Sequence, residues 1–541
     1  MRTWFVGSLV LASCAPLGAP PSTASPSSAA PTPSTAGPRS SRPRRTAPTA
    51  ASDAKPWHFA GGAPIDVRVD PSRDVAPVTA LHFGNNLAWW DSREWLKNVS
   101  HFEKAAQSGI HFWRWPGGSS SDNYHWDGNY GSHTKDHEGG DPTRMNQPWA
   151  VSSDDFIWFC KGTGSEAIVT VNYAAARYWD VGRAADMAAR WVRWFNVEKG
   201  FKVRLWEIGN EVYGPWEEGH AVPNRPEVTG ESYGKDFLVI AAAMRKVDPS
   251  IAIGAVAVDE DNGNDWGGYK WWMRDMLPVV GESADFLIEH NYFVWPFEGD
   301  KFVSPSNEKL FENVAKVAKA KADIDAMVKK YTKRTSPLPI MMTEFHAANA
   351  SPPQTIQLVA GLFVAEALGE MIQAGYLGSN IWDWKNGIDA KLGGDHGMLA
   401  NGDKEVLDGT PRPTYYAYAL YDRAFGDVMV PSSSSDPSVK VYASRFEGGE
   451  LGLVVVNQTA RPITARFDLG AHKGHGKITG FILDGADLDA KQVRWNGIAG
   501  PAGGGGPFPI DRTPPYARTY EPGHPVALEL PPSSASGIVF D

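Results

Sequence analysis

Two glutamates carry the chemistry that this sequence advertises. Glu211 closes the segment Gly209-Asn210-Glu211, and Glu344 sits in Thr343-Glu344-Phe345-His346. Each follows a short apolar, strand-like run, and roughly three βα units separate them. A pair of carboxyls facing each other across one pocket can cleave a glycosidic bond: one, protonated, donates to the leaving oxygen, while the other, ionised, attacks the anomeric carbon. A single glutamate at a strand end is usually a solvated or ion-paired side chain. Two in the same register, with polar groups at the neighbouring strand ends, are not explained by core packing.

Those neighbouring ends are Gly84-Asn85-Asn86, Arg114-Trp115-Pro116-Gly117-Gly118, Asn172-Tyr173, His290-Asn291-Tyr292 and Trp382-Asp383-Trp384. They belong to eight strand-like runs, over 80–85, 110–115, 167–173, 203–209, 251–257, 284–291, 338–343 and 379–384. Stretches of helical periodicity lie between them, over 181–199, 231–247, 308–331, 353–373 and 414–425. Eight alternating units, with no glycine-rich dinucleotide fingerprint after the first strand, predict an α/β fold of the (β/α)8 TIM-barrel type over 56–426. In such a barrel the functional groups stand at the C-terminal ends of the strands. After residue 427 the helical pattern stops, and text such as VKVYASRF, ELGLVVVNQ and TARFDL predicts an all-β sandwich over 427–541. The run 65–69 has the same strand character and could extend that sandwich.

The N-terminus reads as a processing signal. An apolar run over 4–12 is too short to span a bilayer, and Leu11-Ala12-Ser13-Cys14 resembles a lipobox, so residues 1–13 are expected to be a lipoprotein-type signal peptide with Cys14 the lipidated residue. The alternative is plain secretion. Residues 14–55, rich in Pro, Ser and Ala with a basic RSSRPRR patch, cannot bury a core and read as a disordered tether. The chain is therefore expected to be exported, as an outer-membrane or cell-surface lipoprotein or as a secreted protein, touching membrane only through that anchor. Cys160 is the only other cysteine and lies in FIWFC, so it is read as a buried structural residue without a disulfide.

With 52 Lys plus Arg against 62 Asp plus Glu, the net charge is −10, and no basic domain points to nucleic acid. A neutral polysaccharide or oligosaccharide fits better, and 22 Trp residues offer aromatic faces for it. No cofactor or metal is expected. His133 and His137 have a spacing seen in zinc sites but lack a helix pattern, and the acidic loop over 259–265 does not match the calcium template. The phosphate-binding loop and the nucleophile elbow are absent from the sequence.

The motifs then become more specific. WEIGNEVYGPWEEG (206–219) resembles the strand-four signature of clan A glycoside hydrolases, and MMTEFH (341–346) resembles their strand-seven nucleophile segment. RWPGGSSSDNYHW (114–126) and NEVYGPW are similar to glycoside hydrolase family 51, the α-L-arabinofuranosidases, whose members also join a barrel to a β-sandwich. The resemblance implies retaining hydrolysis, with Glu211 as general acid/base and Glu344 as nucleophile. It implies that Asn210 bonds the sugar 2-hydroxyl, that Arg114 pairs with Glu344, that Tyr292 orients the nucleophile and that His290 lines the pocket. Asn86, Trp115, Trp216, His346, Asp383 and Trp384 are further candidates for substrate contact, with Asn85 beside them. Glu207 points the same way as Glu211 but lies deeper, and is read as a hydrogen-bonding group of the barrel interior. Around Glu344 this chain has TEFHAAN where that family usually carries a Glu-Trp pair, which bears on the sugar rather than the clan. Two other readings remain: an endo-β-glycanase of the same clan, resembling cellulases and xylanases, and a non-catalytic surface carbohydrate-binding lipoprotein.

Overall fold

The computed structural model describes residues 46–48, 52–131, 148–260, 270–402 and 406–541. His133, His137 and Cys14 lie outside the described residues, as does most of the 259–265 loop.

Eight parallel strands close a barrel: Gly84–Asn86, Phe112–Trp115, Glu166–Val171, Leu205–Ile208, Ala252–Val256, Phe286–Asn291, Ile340–Phe345 and Gly378–Ile381, called strands one to eight below. The expected fold class is the one observed. Each strand is buried on both faces, as a parallel sheet covered by helices requires, which is why the runs read as nearly unbroken apolar text. Strand one is shorter than expected. Ala80–His82 forms a turn of 3-10 helix instead, because Thr79 caps it and the His82 ring bonds back to the Thr79 amide at 3.0 Å. Strand eight ends at Ile381, so Trp382, Asp383 and Trp384 leave the ladder. The helix expected over 308–331 is two, Asn307–Asn313 and Lys316–Tyr331.

The C-terminal residues build most of a ten-stranded and a four-stranded sheet, with Lys55–Pro56 and Ala76–Pro77 at the two ends of the larger one. An early segment, Ala63–Val69, joins the smaller one, running parallel to Ile463–Asp468 with Ile65 opposite Ala465 and Val67 opposite Phe467. Its burial alternates, placing Ile65, Val67 and Val69 in a core shared with Leu453, Leu528 and Ile538.

The helix Pro413–Ala424 lies between the barrel and the larger sheet and is buried on nearly all sides. Tyrosine is a workable residue there only if each hydroxyl finds an acceptor. All four do: Tyr415 donates to the Lys104 carbonyl at 2.9 Å, Tyr416 to Pro507 at 2.9 Å, Tyr418 to Gly84 at 3.0 Å and Tyr421 to Ala365 at 2.8 Å. The helix thereby ties strand one, the helix Leu358–Ala374 and the sandwich to one another.

A second tie is steric. Gly369, inside the helix Leu358–Ala374, faces the ring of Tyr442, and a Cβ there would come within 2.4 Å of it. Tyr442 cannot easily move, because its hydroxyl donates to Glu370 Oε1 at 2.8 Å. Gly369→Ala should therefore destabilise the protein by about 1–3 kcal/mol through overpacking. The gain in helix propensity, about 1 kcal/mol, works the other way and is smaller. A urea titration read by tryptophan fluorescence measures the net, and a higher midpoint for the variant would refute the packing argument.

Candidate active site

Strand four delivers Asn210 and Glu211 through a strained turn. Gly209 has φ +80° and Glu211 itself has φ +40°, a left-handed backbone that a glutamate seldom adopts. At position 209 a Cβ would also lie 2.6 Å from Val212 Cγ1, so the turn needs glycine. Strands two, six and seven supply Arg114, His290 and Glu344, and His290 stands opposite Glu344 in the strand register.

Arg114 is fully buried and bonds four groups at once. Its Nε donates to Glu207 Oε2 at 2.8 Å, and Nη1 donates to Glu344 Oε1 at 2.7 Å and to Asn86 Oδ1 at 3.0 Å. Nη2 donates to Asn210 Oδ1 at 2.8 Å. Tyr292 donates its hydroxyl to the other oxygen, Glu344 Oε2, at 2.8 Å. Glu344 thus has both oxygens held, one by a cation. Glu211 meets different partners: His290 Nδ1 lies 2.9 Å from Oε1, and Trp216 Nε1 donates to Oε2 at 2.8 Å. The second nitrogen of His290 sits 3.0 Å from Thr343 Oγ1, which fixes the ring. Glu211, His290 and Glu344 each present an atom within 4.8 Å of the others. Among the described residues they form the group able to reach a single metal ion, although their donor atoms are engaged with one another and with Arg114.

The electrostatics differ between the groups. Burial pushes the Glu211 carboxyl upward, but the bonds to His290 and Trp216 and the charge of Arg114 outweigh it and leave it below the ordinary range. Glu217 goes the other way. Burial first, then like charge from Asp122 and Glu211, hold it well above the ordinary range. Asp383 is likewise raised by burial and by the nearby charges of Asp91, Asp395 and Glu344. His346 is held far below the usual histidine value by burial and by His396.

No protein-family profile matches the chain. In sequence it is similar to an intracellular exo-α-(1→5)-L-arabinofuranosidase of Acetivibrio thermocellus, 25% identical over 198 residues, which are 33% of this chain and 36% of that one. The enzyme of the same name from Streptomyces lividans is 26% identical over 232 residues, 39% and 33% of the two chains. The aligned region thus spans about a third of the curated relatives' length. Among solved structures, the α-L-arabinofuranosidase of Thermotoga maritima superposes with a TM-score of 0.63 at 18% identity, over 88% of this chain and 99% of that one. A family 44 xyloglucanase of Paenibacillus polymyxa superposes with a TM-score of 0.61 at 16% identity, over 88% and 100%. The fold is that of the family 51 arabinofuranosidases. The resemblance to clan A glycoside hydrolases, and within them to family 51, holds in both sequence and structure.

Of the residues singled out from the sequence, Arg114, Asn210, Glu211, His290, Tyr292, Glu344, Asn86 and Trp216 meet in this one constellation. Asn86 is spent on the scaffold: besides accepting from Arg114, its amide donates to the carbonyls of Thr343 and Ile381 at 3.0 and 3.1 Å. Glu207 is in the interior, bonded to Arg114 and to Thr170 at 2.7 Å. Asn85 points elsewhere, toward the Met398 sulfur. Trp115 and Trp384 are corrections. Side chains alternate along a strand, so with Arg114 facing the pocket Trp115 must face the helices, where it stacks on Phe156 at 5.2 Å. Trp384 is fully buried with its ring edge-on to Trp113 at 5.2 Å. Asp383 is buried with Oδ1 unpartnered among the described residues, and His346 is buried against His396 with a ring separation of 4.8 Å. Sequence reasoning missed Asp122 and Glu217, although both lie inside quoted motifs. Their burial is a tertiary fact that no spacing reveals.

Beside His290, Glu289 faces the opposite side of strand six and accepts from the Tyr376 hydroxyl at 2.8 Å. Burial, then the charge of Asp259, pushes its carboxyl up to about 8. Between the unfolded value near 4.5 and 8, the native state keeps a proton that the unfolded chain releases. Glu289 therefore costs stability progressively as pH rises through that window. Glu289→Gln should match the parent near pH 4.5 and exceed it by a widening margin up to about pH 8, measured by urea midpoints across pH. A constant difference would show that Glu289 does not titrate there.

Proposed function

We propose that this chain is a retaining glycoside hydrolase acting on plant-type polysaccharide or oligosaccharide, and specifically an α-L-arabinofuranosidase. The observation that carries the reading is the approach of the Glu211 and Glu344 carboxylates, one oxygen of each within 4.8 Å of the other. An approach this close leaves little room for a water between sugar and carboxylate and favours direct attack with retention; inversion needs about 6.5–9.5 Å between the carboxyls.

Glu344 is the nucleophile. Arg114 and Tyr292 hold its two oxygens and aim the carboxylate at the anomeric carbon. Glu211 is the general acid: its carboxyl is held below the ordinary range in the free site, so the proton it gives to the leaving oxygen, as the C–O bond breaks and the bond to Glu344 forms, reaches it through the His290 Nδ1 contact at 2.9 Å. Trp216 N–H and His290 then steady the carboxylate left behind. In the second step Glu211 takes a proton from water, whose oxygen displaces Glu344 and releases the sugar. Glu211 is the more open of the two, 18% exposed against 6% for Glu344, as a residue that meets both leaving group and water should be. Asn210, held by Arg114, is placed to bond the sugar 2-hydroxyl, a contact that strengthens as positive charge develops.

The choice of arabinofuranoside rests on the names of the relatives and on the shared fold. Hydrolysis of an aryl α-L-arabinofuranoside beside carboxymethyl cellulose, xylan and arabinan tests it. Cleavage of the β-glycans alone would defeat the furanosidase assignment, and an inverted product seen by NMR would defeat the retaining mechanism. Glu211→Ala should lose about 10²–10⁴-fold on substrates with poor leaving groups. Azide should revive Glu211→Ala with retention and Glu344→Ala with inversion, because each fills the space of a different missing carboxylate.

We further propose that the protein is exported and anchored by a lipid at Cys14, although the curated relatives above are named intracellular. The apolar run over 4–12, which leads into Ser13-Cys14 through Leu11-Ala12, supports this. Cys14→Ser should shift the protein from the membrane fraction; an unchanged distribution would count against the anchor.

A further inference from the structure

Glu217 is a third carboxyl in this constellation, and the reaction just described does not use it. It lies six residues beyond Glu211 and is nearly sealed from solvent. Its Oε1 accepts from Asn210 Nδ2 at 3.0 Å and from Ser119 Oγ at 2.8 Å. Its Oε2 is buried without a partner among the described residues. The backbone around it is fixed as well: Glu217 N–H donates to the Gly214 carbonyl at 3.1 Å, and His220 N–H donates to the Glu217 carbonyl at 3.2 Å. The side chain therefore joins the loop after strand two to the loop after strand four, directly behind Asn210.

The amide of Asn210 is gripped at both ends. Arg114 donates to its oxygen, and Glu217 accepts from its nitrogen. Its backbone N–H is held too, by Asp122 at 3.2 Å. An asparagine amide has two N–H groups, and with one given to Glu217 the direction of the other is set by geometry. Without Glu217 the amide could roll about its last torsion, which is soft for asparagine, and only the Arg114 bond would resist.

We propose that Glu217 is a positioning residue for the glycosidase reaction: it clamps the Asn210 amide so that the free N–H meets the sugar 2-hydroxyl in the transition state. The inference rests on the glycosidase reading above. Three negative groups crowd this region, and burial and like charge favour the protonated form of Glu217, so glutamine reproduces both its shape and its acceptor.

The test compares Glu217→Ala, Glu217→Gln and Asn210→Ala on an aryl α-L-arabinofuranoside and its 2-deoxy analogue. Misplacing a transition-state contact can cost on the order of 100-fold. We expect Glu217→Ala to lower kcat about 30-fold or more on the intact sugar with little change in KM. On the 2-deoxy sugar the loss should shrink to under about 3-fold, because the contact being positioned is gone. Glu217→Gln should recover most of the activity, and adding Glu217→Ala to Asn210→Ala should cost little more. Glu217→Met, which fills the volume without an acceptor, replaces the Ala variant if that does not fold. Equal losses on both sugars, or no recovery with glutamine, would overturn the clamp while leaving the hydrolase reading intact. A parent protein inert on every glycoside would overturn the hydrolase reading and the clamp with it.

Discussion

The guanidinium of Arg114 is a charge with no access to water at the centre of a barrel. Stranding such a charge costs several kcal/mol even after relaxation, so it persists only where its surroundings replace the lost hydration. Here Glu207 neutralises it from below and Glu344 from above, while two asparagines, Asn86 and Asn210, complete the shell. Lysine could not do the same, because three donors radiating from one atom cannot reach four acceptors spread over strands one, four and seven. Much of the site follows from satisfying this one group. Glu344 is aimed because Arg114 needs a partner, and Asn210 is oriented because its oxygen is one of the acceptors.

The carboxyls around Arg114 are differentiated by their neighbours rather than by their chemistry. Glu344 touches the cation directly and a tyrosine hydroxyl besides. Glu211 faces a histidine and an indole N–H at a more open position, and those bonds hold its carboxyl below the ordinary range. Glu217 and Asp383 are enclosed among other acids, and burial favours their neutral forms. Placing groups of one kind in contrasting surroundings is how a site obtains an ionised and a protonated carboxyl at the same pH.

The sandwich matters to this arrangement through the buried tyrosine helix Pro413–Ala424. Tyr418 bonds the carbonyl of Gly84 at the start of strand one, and strand one carries Asn86 into the Arg114 shell. A continuous path of packed and hydrogen-bonded groups therefore runs from the larger sheet to Arg114 and Glu344. Ala63–Val69, which precedes the barrel in the chain and pairs within the sandwich, closes the connection from the other end.

The sequence by itself determined the barrel, the sheets that follow it and the two glutamates. These rest on local signals: strand periodicity, turn residues and the short motifs at the strand ends. Period-two alternation also carried the interior place of Glu207, while the pairing of Arg114 with Glu344 came from the motif resemblance. The same rule, applied fully, would have turned Trp115 toward the helices, so that error was one of inference rather than of missing information. Other features were illegible because they are set by residues distant in the chain. Ala80–His82 became a 3-10 turn through a cap at Thr79 that outweighed its apolar composition. Glu217 and Asp122 became buried acids only when two loops closed over them, and Asp383 and His346 were sealed in by Asp395 and His396, which lie on a later loop. Charge state and hydrogen-bond direction at a buried carboxyl depend on every group within a few ångströms, and only the tertiary structure decides which groups those are.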